Sequence, residues 1–265
     1  MEINGEQVNG TKTYAELGLS EAIMRAIEKK GYVQATPVQA GAIPYFMEWK
    51  DVIAKAPTGT GKTFAFGIPM VEHIDPECAD VQGLVLAPTR ELANQINDVL
   101  MPLAQMYGMT TTTVYGGVRY ARQIRDLRAG ADIVVACPGR LEDLLEQHAL
   151  TLEKVEVAVI DEADEMADMG FLPPVKRLLG QVSFDAQIML FSATLDHGVD
   201  EVVNTFLTDP KIHSVDSATA AVDEMTHHVF ETTQGDRHEL VRTLASGKGR
   251  RILFTRTKFL SLIHI

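Results

Sequence analysis

Features that would place the chain in a special class of protein are scarce in this sequence. It contains only two cysteines, Cys78 and Cys137, whose spacing suits neither a disulfide framework nor a metal site. No apolar run approaches the ~20 residues that a membrane-spanning helix requires, and no secretory signal of basic and apolar residues is present. We therefore expect a protein of the reducing cytoplasm with no membrane partner.

Net positive charge is also lacking. Lys and Arg number 24 against 36 Asp and Glu, which gives a formal net charge of −12. This balance argues against a protein whose whole surface binds nucleic acid. It leaves room for a local phosphate-binding strip, because salt screens each charge beyond roughly 10 Å.

What is present is the pattern of an α/β fold. The 265 residues are 46% hydrophobic and 23% charged, as in globular proteins of one or two domains. Short apolar runs alternate with amphipathic stretches, which is typical of a mainly parallel sheet flanked by helices. The predicted strands are 52–56, 83–87, 111–115, 132–136, 155–160, 187–191 and 211–215. The predicted helices are 20–30, 37–47, 62–74, 90–106, 118–129, 139–147, 172–180 and 197–206.

A change of composition divides the chain. Pro210 and the small residues 216–221 predict the end of a first domain, 1–215, and a linker over 216–226. Residues 227–265 repeat the strand–helix–strand pattern. Its predicted elements are a strand at 227–232, a helix near 236–246 and a strand at 251–255. Because such a unit cannot cover a sheet alone, we expect a fragment of a second domain.

A glycine-rich segment after the first predicted strand has the composition of a phosphate-binding loop. Gly59 and Gly61 allow a tight turn in which backbone N–H groups point at phosphate oxygens. Lys62 adds a positive charge for the β- and γ-phosphates, and the Thr63 hydroxyl is a ligand for Mg²⁺. The candidate nucleotide-binding residues of this loop are Thr58, Gly59, Thr60, Gly61, Lys62 and Thr63. The alternative is a glycine-rich turn before an ordinary helix.

Two acidic residues follow the predicted strand 155–160. Open parallel sheets bind ligands at the carboxyl ends of their strands, where Asp161 and Glu162 lie. Asp161 can hold Mg²⁺, which keeps several waters and takes few protein ligands. Glu162 can deprotonate the water that attacks the γ-phosphate, so Glu162, Lys62 and Asp161 are the candidate catalytic residues. Alternatively, the acids begin a helix, where the helix dipole favours them.

With these segments in place, the chain resembles the DEAD-box family of ATP-dependent RNA helicases. The resemblance rests on residues 161–164 and on Ala56, which departs from the general phosphate-loop pattern as this family does. It implies a RecA-like ATP-binding domain in 1–215 and the start of a second RecA-like domain. Residues 31–39 resemble the adenine-reading segment, which implies that Gln39 hydrogen-bonds the base and Tyr14 stacks on it. In isolation, Gln39 is also compatible with a solvated polar helix position.

Three further segments match the family's path for one RNA strand. They are 88–92, 115–117 and 137–140. The resemblance implies contacts to the RNA backbone, with little base specificity, from Pro88, Arg90, Gly116, Gly117, Gly139 and Arg140. Arg90 and Arg140 are equally compatible with surface ion pairs or with organising these loops. Cys137 stands where the family has threonine, which removes one hydroxyl donor.

Residues 192–194, after the predicted strand 187–191, match the family's coupling motif. The resemblance implies that Ser192 and Thr194 hydrogen-bond the segment 161–164, including Asp164, and so link nucleotide state to strand separation. Either hydroxyl could instead cap a helix that begins near Asp196.

The implied activity is ATP hydrolysis coupled to local unwinding of RNA duplexes. The family's later motifs, including an arginine finger worth on the order of 10³–10⁵ in rate, have no counterpart here, so we expect almost no hydrolysis by this chain alone. Residues 260–265 look like a translated sequencing adapter and are expected to be artefactual. Two alternatives stay open. One is a phosphate-loop motor that acts on DNA, and the other is an ATP-gated RNA clamp without unwinding activity.

Overall fold

The computed structural model of the chain describes residues 12–29, 31–195, 198–215, 228–233, 235–246 and 253. The chain divides into two compact units, Met1–Thr219 and Ala220–Ile265. The division falls within the linker that composition predicts at 216–226. Over the described ranges, no helix combines the length and the apolar character that crossing a membrane would need.

The first unit is built on one parallel sheet, as the sequence predicts. Its strands are β1 (Val52–Lys55), β2 (Gly83–Leu86), β3 (Thr111–Val114), β4 (Ile133–Ala136), β5 (Val157–Ile160), β6 (Gln187–Ser192) and β7 (Lys211–Ser214). They lie in the order β3-β4-β2-β5-β6-β1-β7, and every neighbouring pair is parallel. Each predicted strand is therefore confirmed to within two residues at either end.

Helices connect the strands. They are α1 (Glu21–Lys29), α2 (Pro37–Met47), α3 (Lys62–His73), α4 (Arg90–Met106), α5 (Tyr120–Arg128), α6 (Pro138–Glu146), α7 (Ala163–Asp168), α8 (Leu172–Leu179) and α9 (Val199–Phe206). Sequence periodicity missed α7 and a short 3₁₀ helix at Tyr14–Leu17. Both are too short to show a helical repeat of apolar residues.

Two apolar clusters cover the two faces of the sheet. Successive strand residues alternate between them: Val52 and Ala54 face one cluster, and Ile53 faces the other. Helices α1–α4 pack on the first face and α5–α9 on the second. Because both faces are buried at the centre of the sheet, β2, β4 and β5 read as continuous apolar runs, whereas the outermost strands β3 and β7 are largely polar and only partly buried.

The parallel arrangement positions the candidate site. The carboxyl ends of all strands meet at one edge, which we call the carboxyl edge, and their amino ends at the opposite, amino edge. The segments that follow β1, β2, β3, β4, β5 and β6 are those that the sequence singles out. A parallel sheet therefore brings these segments close together, because all of its strands end at the same edge.

In the second unit the structure describes one helix, α10 (Arg237–Ala245), close to the predicted range 236–246. Residues 228–233 form no strand, so the strand predicted at 227–232 is wrong over the residues that are described. A strand requires a hydrogen-bonded neighbour. The predicted partner, 251–255, lies outside the described residues except for Leu253.

Candidate functional site

The loop after β1 turns directly into α3. Gly59 and Gly61 have φ values of 85° and 91°, in the left-handed region that favours glycine, and Gly61 is the N-cap of α3. A Cβ atom on Gly61 would lie 2.6 Å from Nε2 of Gln39. Gly61 is therefore required both by its backbone conformation and by the approach of Gln39. The first N–H groups of α3 are left facing the loop, as an anion site needs.

Lys62, Asp161 and Glu162 meet at the carboxyl edge. Nζ of Lys62 lies 2.8 Å from Oε1 of Glu162 and 3.7 Å from Oδ1 of Asp161, and all three side chains are buried. Thr58 donates to the same Glu162 oxygen at 2.7 Å. Among the described residues, the Lys62 ammonium has ion-pair distances but no hydrogen bond of acceptable geometry. A buried ammonium in this state suits an anionic ligand.

Asp161 is electrostatically unusual. Burial raises the pKa of its carboxyl to about 6; the Lys62 charge acts against this rise, and the Glu162 charge adds to it. A cation other than Lys62 would therefore stabilise the ionised form. With the Thr63 hydroxyl in the first turn of α3, Asp161 provides the oxygen ligands that suit Mg²⁺. In the described part of the chain, no group of three or more His, Cys, Asp or Glu side chains could hold a metal by itself.

Glu162 has a strained backbone. Its φ and ψ are 50° and 54°, a left-handed conformation that is uncommon for a residue with a side chain. The turn separates β5 from α7 and brings the carboxylate of Glu162 to Thr58 and Lys62. Strain of this kind is typical of functional positions.

Gln39 is not the solvated helix residue that its sequence alone allows. It is buried, and its Oε1 accepts from the Tyr14 hydroxyl at 2.5 Å and from the Thr36 N–H at 2.9 Å. Its Nε2 donates to the Gly61 carbonyl at 3.0 Å. Gln39 therefore contacts the phosphate-binding loop directly.

Tyr14 has a different contact from the predicted one. Its ring is 3% exposed and belongs to the first apolar cluster, so it presents no open face to a base. The exposed aromatic residue here is Tyr32, which is 48% exposed and packs its ring edge-on at 5.9 Å from Phe64. Burial, and next the proximity of Tyr32, raise the pKa of the Tyr14 hydroxyl. Sequence reasoning missed Tyr32, although it lies in the segment 31–39.

Arg90 and the glycine loop after β3 lie side by side. The Arg90 side chain is about half exposed, with its guanidinium 5.7 Å from the centre of the Tyr115 ring. A Cβ atom on Gly117 would lie 3.8 Å from Arg90 Nη1, and Gly116 and Gly139 have open space around them. Pro88, in contrast, is buried. Among the predicted RNA-path residues, Arg90 and the three glycines are therefore accessible and Pro88 is not.

Arg140 organises the neighbouring loop. Its side chain is 11% exposed, and Nη1 donates to the Val118 carbonyl and to Oε1 of Gln123, each at 2.8 Å. Its guanidinium lies 4.0 Å from the centre of the Tyr120 ring. Of the three roles that the sequence left open, RNA contact, ion pair and loop organisation, these hydrogen bonds match loop organisation, and Nε also lies 3.7 Å from the Asp143 carboxylate. Nearby, burial raises the pKa of the Cys137 thiol to about 11, so the thiol is neutral at physiological pH.

The coupling residues contact one another. Ser192 Oγ accepts from the Asp164 N–H at 3.2 Å and donates to the Thr194 carbonyl. Thr194 donates to Asp164 Oδ2 through its N–H at 3.1 Å and through its hydroxyl at 3.4 Å. The end of β6 is thus bonded to α7. The alternative role as a helix cap does not hold, because α9 has Gly198 as its N-cap.

Comparisons with known proteins agree with this geometry. Residues 36–202 match the DEAD/DEAH box helicase family. The chain is 38% identical over 248 residues to the DEAD-box ATP-dependent RNA helicase CshA of Geobacillus kaustophilus, covering 93% of this chain and 53% of that protein. It is 41% identical over 248 residues to the helicase of the same name from Streptococcus pneumoniae, covering 92% of this chain and 47% of that protein.

Solved structures give the same result for the fold. The crystal structure of a DEAD box protein from the hyperthermophile Methanococcus jannaschii matches with a TM-score of 0.74 and 32% identity, covering 89% of this chain and 63% of that one. A hypothetical ATP-dependent RNA helicase from Sulfolobus tokodaii matches with a TM-score of 0.70 and 35% identity, covering 87% and 66%. The chain spans about half the length of the curated relatives that it matches.

Proposed function

The chain belongs to the DEAD/DEAH box helicase family, and from this premise we propose that it binds ATP and Mg²⁺ as part of an ATP-dependent RNA helicase. The observation that carries the proposal is the meeting of the buried Lys62 ammonium with the carboxylates of Glu162 and Asp161, 2.8 and 3.7 Å away, directly after the glycine loop. A phosphate group bound by this loop would take the ammonium as its charged partner. The proposed ATP-binding domain is 1–215, with a linker at 216–226 and the start of a second helicase domain at 227–265.

Each polar group at the carboxyl edge has a role in this proposal. The N–H groups of 58–63 and the Lys62 ammonium bind the phosphates. Asp161 and Thr63 would hold Mg²⁺, which neutralises developing charge on the phosphoryl oxygens when bound. Glu162 accepts a proton from the attacking water. Glu162 already accepts from Thr58 and pairs with Lys62, so it becomes available as a base once a phosphate draws Lys62 away.

Gln39 gives the site its preference for adenine. Its Oε1 accepts two hydrogen bonds and its Nε2 donates one, so its second amide N–H has no partner among the described residues. That N–H suits an acceptor on the base edge, such as adenine N7. In this proposal Tyr14 fixes the amide orientation of Gln39, and Tyr32 supplies the exposed ring that stacks on the base.

The RNA strand lies along the loops after β2, β3 and β4. Arg90, Gly116, Gly117 and Gly139 are the accessible members of this path, and Arg140 holds the loop that carries the glycines. Contacts to the backbone read no sequence, so the proposal includes little base specificity. Ser192, Thr194 and Asp164 transmit the nucleotide state between β6 and α7.

Nucleotide binding by the full chain tests the proposal. Titration with a fluorescent ATP analogue and Mg²⁺ should give saturable binding that Lys62→Met weakens by about a hundredfold or more, because one partner of a buried charged contact is lost. Lys176→Met is the matched control, since Lys176 forms only a surface pair with Glu201 at 2.5 Å. Equal losses in the two variants would contradict the assignment.

Turnover assays distinguish the remaining alternatives. We expect almost no steady-state hydrolysis by this chain with or without RNA, and turnover near that of an intact helicase would overturn this expectation. In a longer version, stimulation by DNA and not by RNA would favour a DNA motor. Tight ATP-dependent RNA binding without unwinding of a short duplex would favour an RNA clamp.

A further inference from the structure

Helix α5 is strongly basic in an acidic protein. Residues 119–128 include four arginines and one aspartate, whereas the whole chain has a net charge of −12. The arginines are Arg119, Arg122, Arg125 and Arg128, and all four are exposed. The opposite side of the helix is buried through Gln123 and Leu127. The solvent side of α5 therefore concentrates positive charge.

The helix dipole accounts for the arginines at one end of α5 but not for those at the other. Arg125 and Arg128 lie in the last turn, where the helix dipole favours cations. Arg119 is the N-cap, and its side chain makes no capping hydrogen bond. With Arg122 in the first turn and no acidic residue there, cations lie where the helix dipole opposes them. Helix stability does not account for Arg119 and Arg122.

Local ion pairs do not account for them either. Asp126 Oδ1 accepts from Nε and Nη2 of Arg125 at 3.3 and 3.1 Å. Arg122 reaches the same carboxylate only at 3.8 Å, with its side chain 72% exposed. Over the part of the chain that the structure describes, the Arg119 side chain has no ion pair or hydrogen bond. The first turn of α5 thus keeps uncompensated positive charge.

The backbone that carries Arg119 and Arg122 is tied to the glycine loop by hydrogen bonds. Arg140 binds the Val118 carbonyl, and Gln123 Nε2 donates to the Tyr115 carbonyl at 3.2 Å. These bonds join the loop, the first turn of α5 and the start of α6 into one arrangement. In the sequence, Arg119 lies two residues after Gly117. Tyr115, which neighbours Arg90 in space, lies two residues before Gly117.

We propose that Arg119 and Arg122 form a phosphate-binding surface on α5 that continues the RNA path beyond the loop 116–117. The partner is the backbone of the same RNA strand, and the proposal rests on the RNA-binding function proposed above. Charge complementarity favours this partner, because the Arg119 guanidinium has no ion pair among the described residues and the exposed Arg122 guanidinium shares Asp126 with Arg125, so both suit phosphates. The surface contributes affinity and salt dependence, and it reads no bases.

The experiment compares charge changes within one helix. The double variant Arg119→Gln/Arg122→Gln removes the proposed surface, and Arg128→Gln with Arg125→Gln removes the same charge from the last turn. The affinity of the full chain for single-stranded RNA is measured against salt concentration, with a short oligonucleotide and a longer one. For the longer RNA we expect the first-turn variant to bind about tenfold more weakly at low salt. Its salt slope should fall by about 1.4, because each phosphate contact on a single strand contributes about 0.7.

The last-turn variant should change both quantities much less, and ATP-analogue affinity should stay unchanged in both. An equal effect of the two variants would mean a general charge effect and would overturn the proposal. An unchanged slope in the first-turn variant would also overturn it, while leaving the proposed function intact. If the unchanged chain bound no RNA at any salt concentration, both proposals would fail. Binding of polyglutamate with the same dependence on Arg119 and Arg122 would overturn the assignment to RNA.

A single substitution separates a binding role from a structural one. Aspartate is among the preferred N-cap residues, so Arg119→Asp should raise the melting temperature of the chain. The same substitution should weaken binding of the longer RNA by more than Arg119→Gln does, because it adds a negative charge. Opposite changes in stability and RNA affinity support the surface. A fall in both would indicate that Arg119 serves the fold.

Discussion

Asp51 and Asp161 lie at opposite edges of the same sheet, and both are buried. Asp51, at the amino edge, accepts from the Ile188 N–H at 2.8 Å and from the Thr208 N–H at 2.6 Å. Asp161, at the carboxyl edge, accepts from the N–H of its own neighbour Glu162 at 3.0 Å. It also faces a second carboxylate and an ammonium. The fold uses the hydrogen bonds of Asp51 to join three chain segments, whereas the carboxylate of Asp161 is hydrogen-bonded to its own neighbour and meets α3 through the Lys62 ammonium at 3.7 Å.

The difference extends to the neighbours of each aspartate. At the amino edge, Gln187 Nε2 donates to the carbonyls of Phe46 and Lys50 at 3.0 and 2.7 Å, which ties β6 to the end of α2. At the carboxyl edge, Glu162 has a strained backbone, and Lys62 is buried without an acceptor of good geometry in the described part of the chain. Substitutions at the two edges should therefore change stability in opposite directions.

The largest effect is expected at the amino edge. Asp51→Ala would leave the buried Ile188 N–H and the partly buried Thr208 N–H without their acceptor, and an unsatisfied buried N–H costs about 1–3 kcal/mol. We expect the free energy of unfolding to fall by about 4 kcal/mol, measured by urea denaturation. Nucleotide affinity under conditions where the variant is folded should be unchanged. A smaller loss in Asp51→Asn, which keeps one acceptor oxygen, would locate the effect in these two bonds.

At the carboxyl edge the expected sign is reversed. A pKa near 6 in place of the ordinary 3.8 means that the ionised Asp161 carboxyl destabilises the metal-free fold at neutral pH. The full shift corresponds to about 3 kcal/mol. Asp161→Asn should therefore raise the free energy of unfolding by up to about 3 kcal/mol at pH 7.5 with a chelator present. Its affinity for the nucleotide with Mg²⁺ should fall.

The pH dependence of the stability gained by Asp161→Asn provides the control for this prediction. The folded pKa of Asp161 is raised, so the destabilisation is absent below about pH 3.8 and complete above about pH 6. The advantage of Asp161→Asn over the unchanged chain should accordingly be smaller at pH 5 than at pH 7.5. A variant that loses stability at both pH values would show that Asp161 serves the fold as Asp51 does.

Substitution of Gln187 should have an intermediate effect on the free energy of unfolding. Gln187→Leu replaces the donor to two main-chain carbonyls with an apolar side chain of similar size. We expect a loss of about 2 kcal/mol, since carbonyl groups tolerate missing partners better than N–H groups do. Thermal unfolding and nucleotide titration of the same sample would test it. A loss of nucleotide affinity without a loss of stability would contradict the division between the edges.

The same contrast explains what the sequence could predict. The strands and the meeting of Lys62 with Asp161 follow from local composition, because parallel strands bring their carboxyl ends together. Asp51 and Gln187 carry no local signal: their partners are separated from them by about 140 positions. The burial of Tyr14 was missed because it depends on how its ring packs in the first apolar cluster, whereas loop organisation by Arg140 was one of the roles that the sequence left open. Motif spacing identifies residues that touch a ligand more readily than residues that hold the fold.

The smallest effect on stability is expected from two histidines, the buried His213 and the partly buried His73. Burial lowers the pKa of His73, opposed by Glu72, and also lowers the pKa of His213, opposed by its bond to the Pro37 carbonyl. Both are therefore neutral in the folded chain, and their contribution to stability is complete above the ordinary pKa of 6.5 and falls as the pH decreases below it.

Acidification consequently has two opposing effects on the free energy of unfolding of the unchanged chain. Protonation of Asp161 raises it, and protonation of the histidines lowers it. The Asp161→Asn background removes the contribution of Asp161, although burial also raises the pKa of Asp51 and of Glu165. Each histidine then contributes a loss of at most about 1.4 kcal/mol per pH unit. Adding His213→Gln, whose amide can still donate to Pro37, should reduce this slope. Urea denaturation between pH 5 and pH 7.5 would measure it. An unchanged slope would mean that His213 is already protonated in the folded chain, and the assignment of its ring N–H to the Pro37 carbonyl in a neutral imidazole would be wrong.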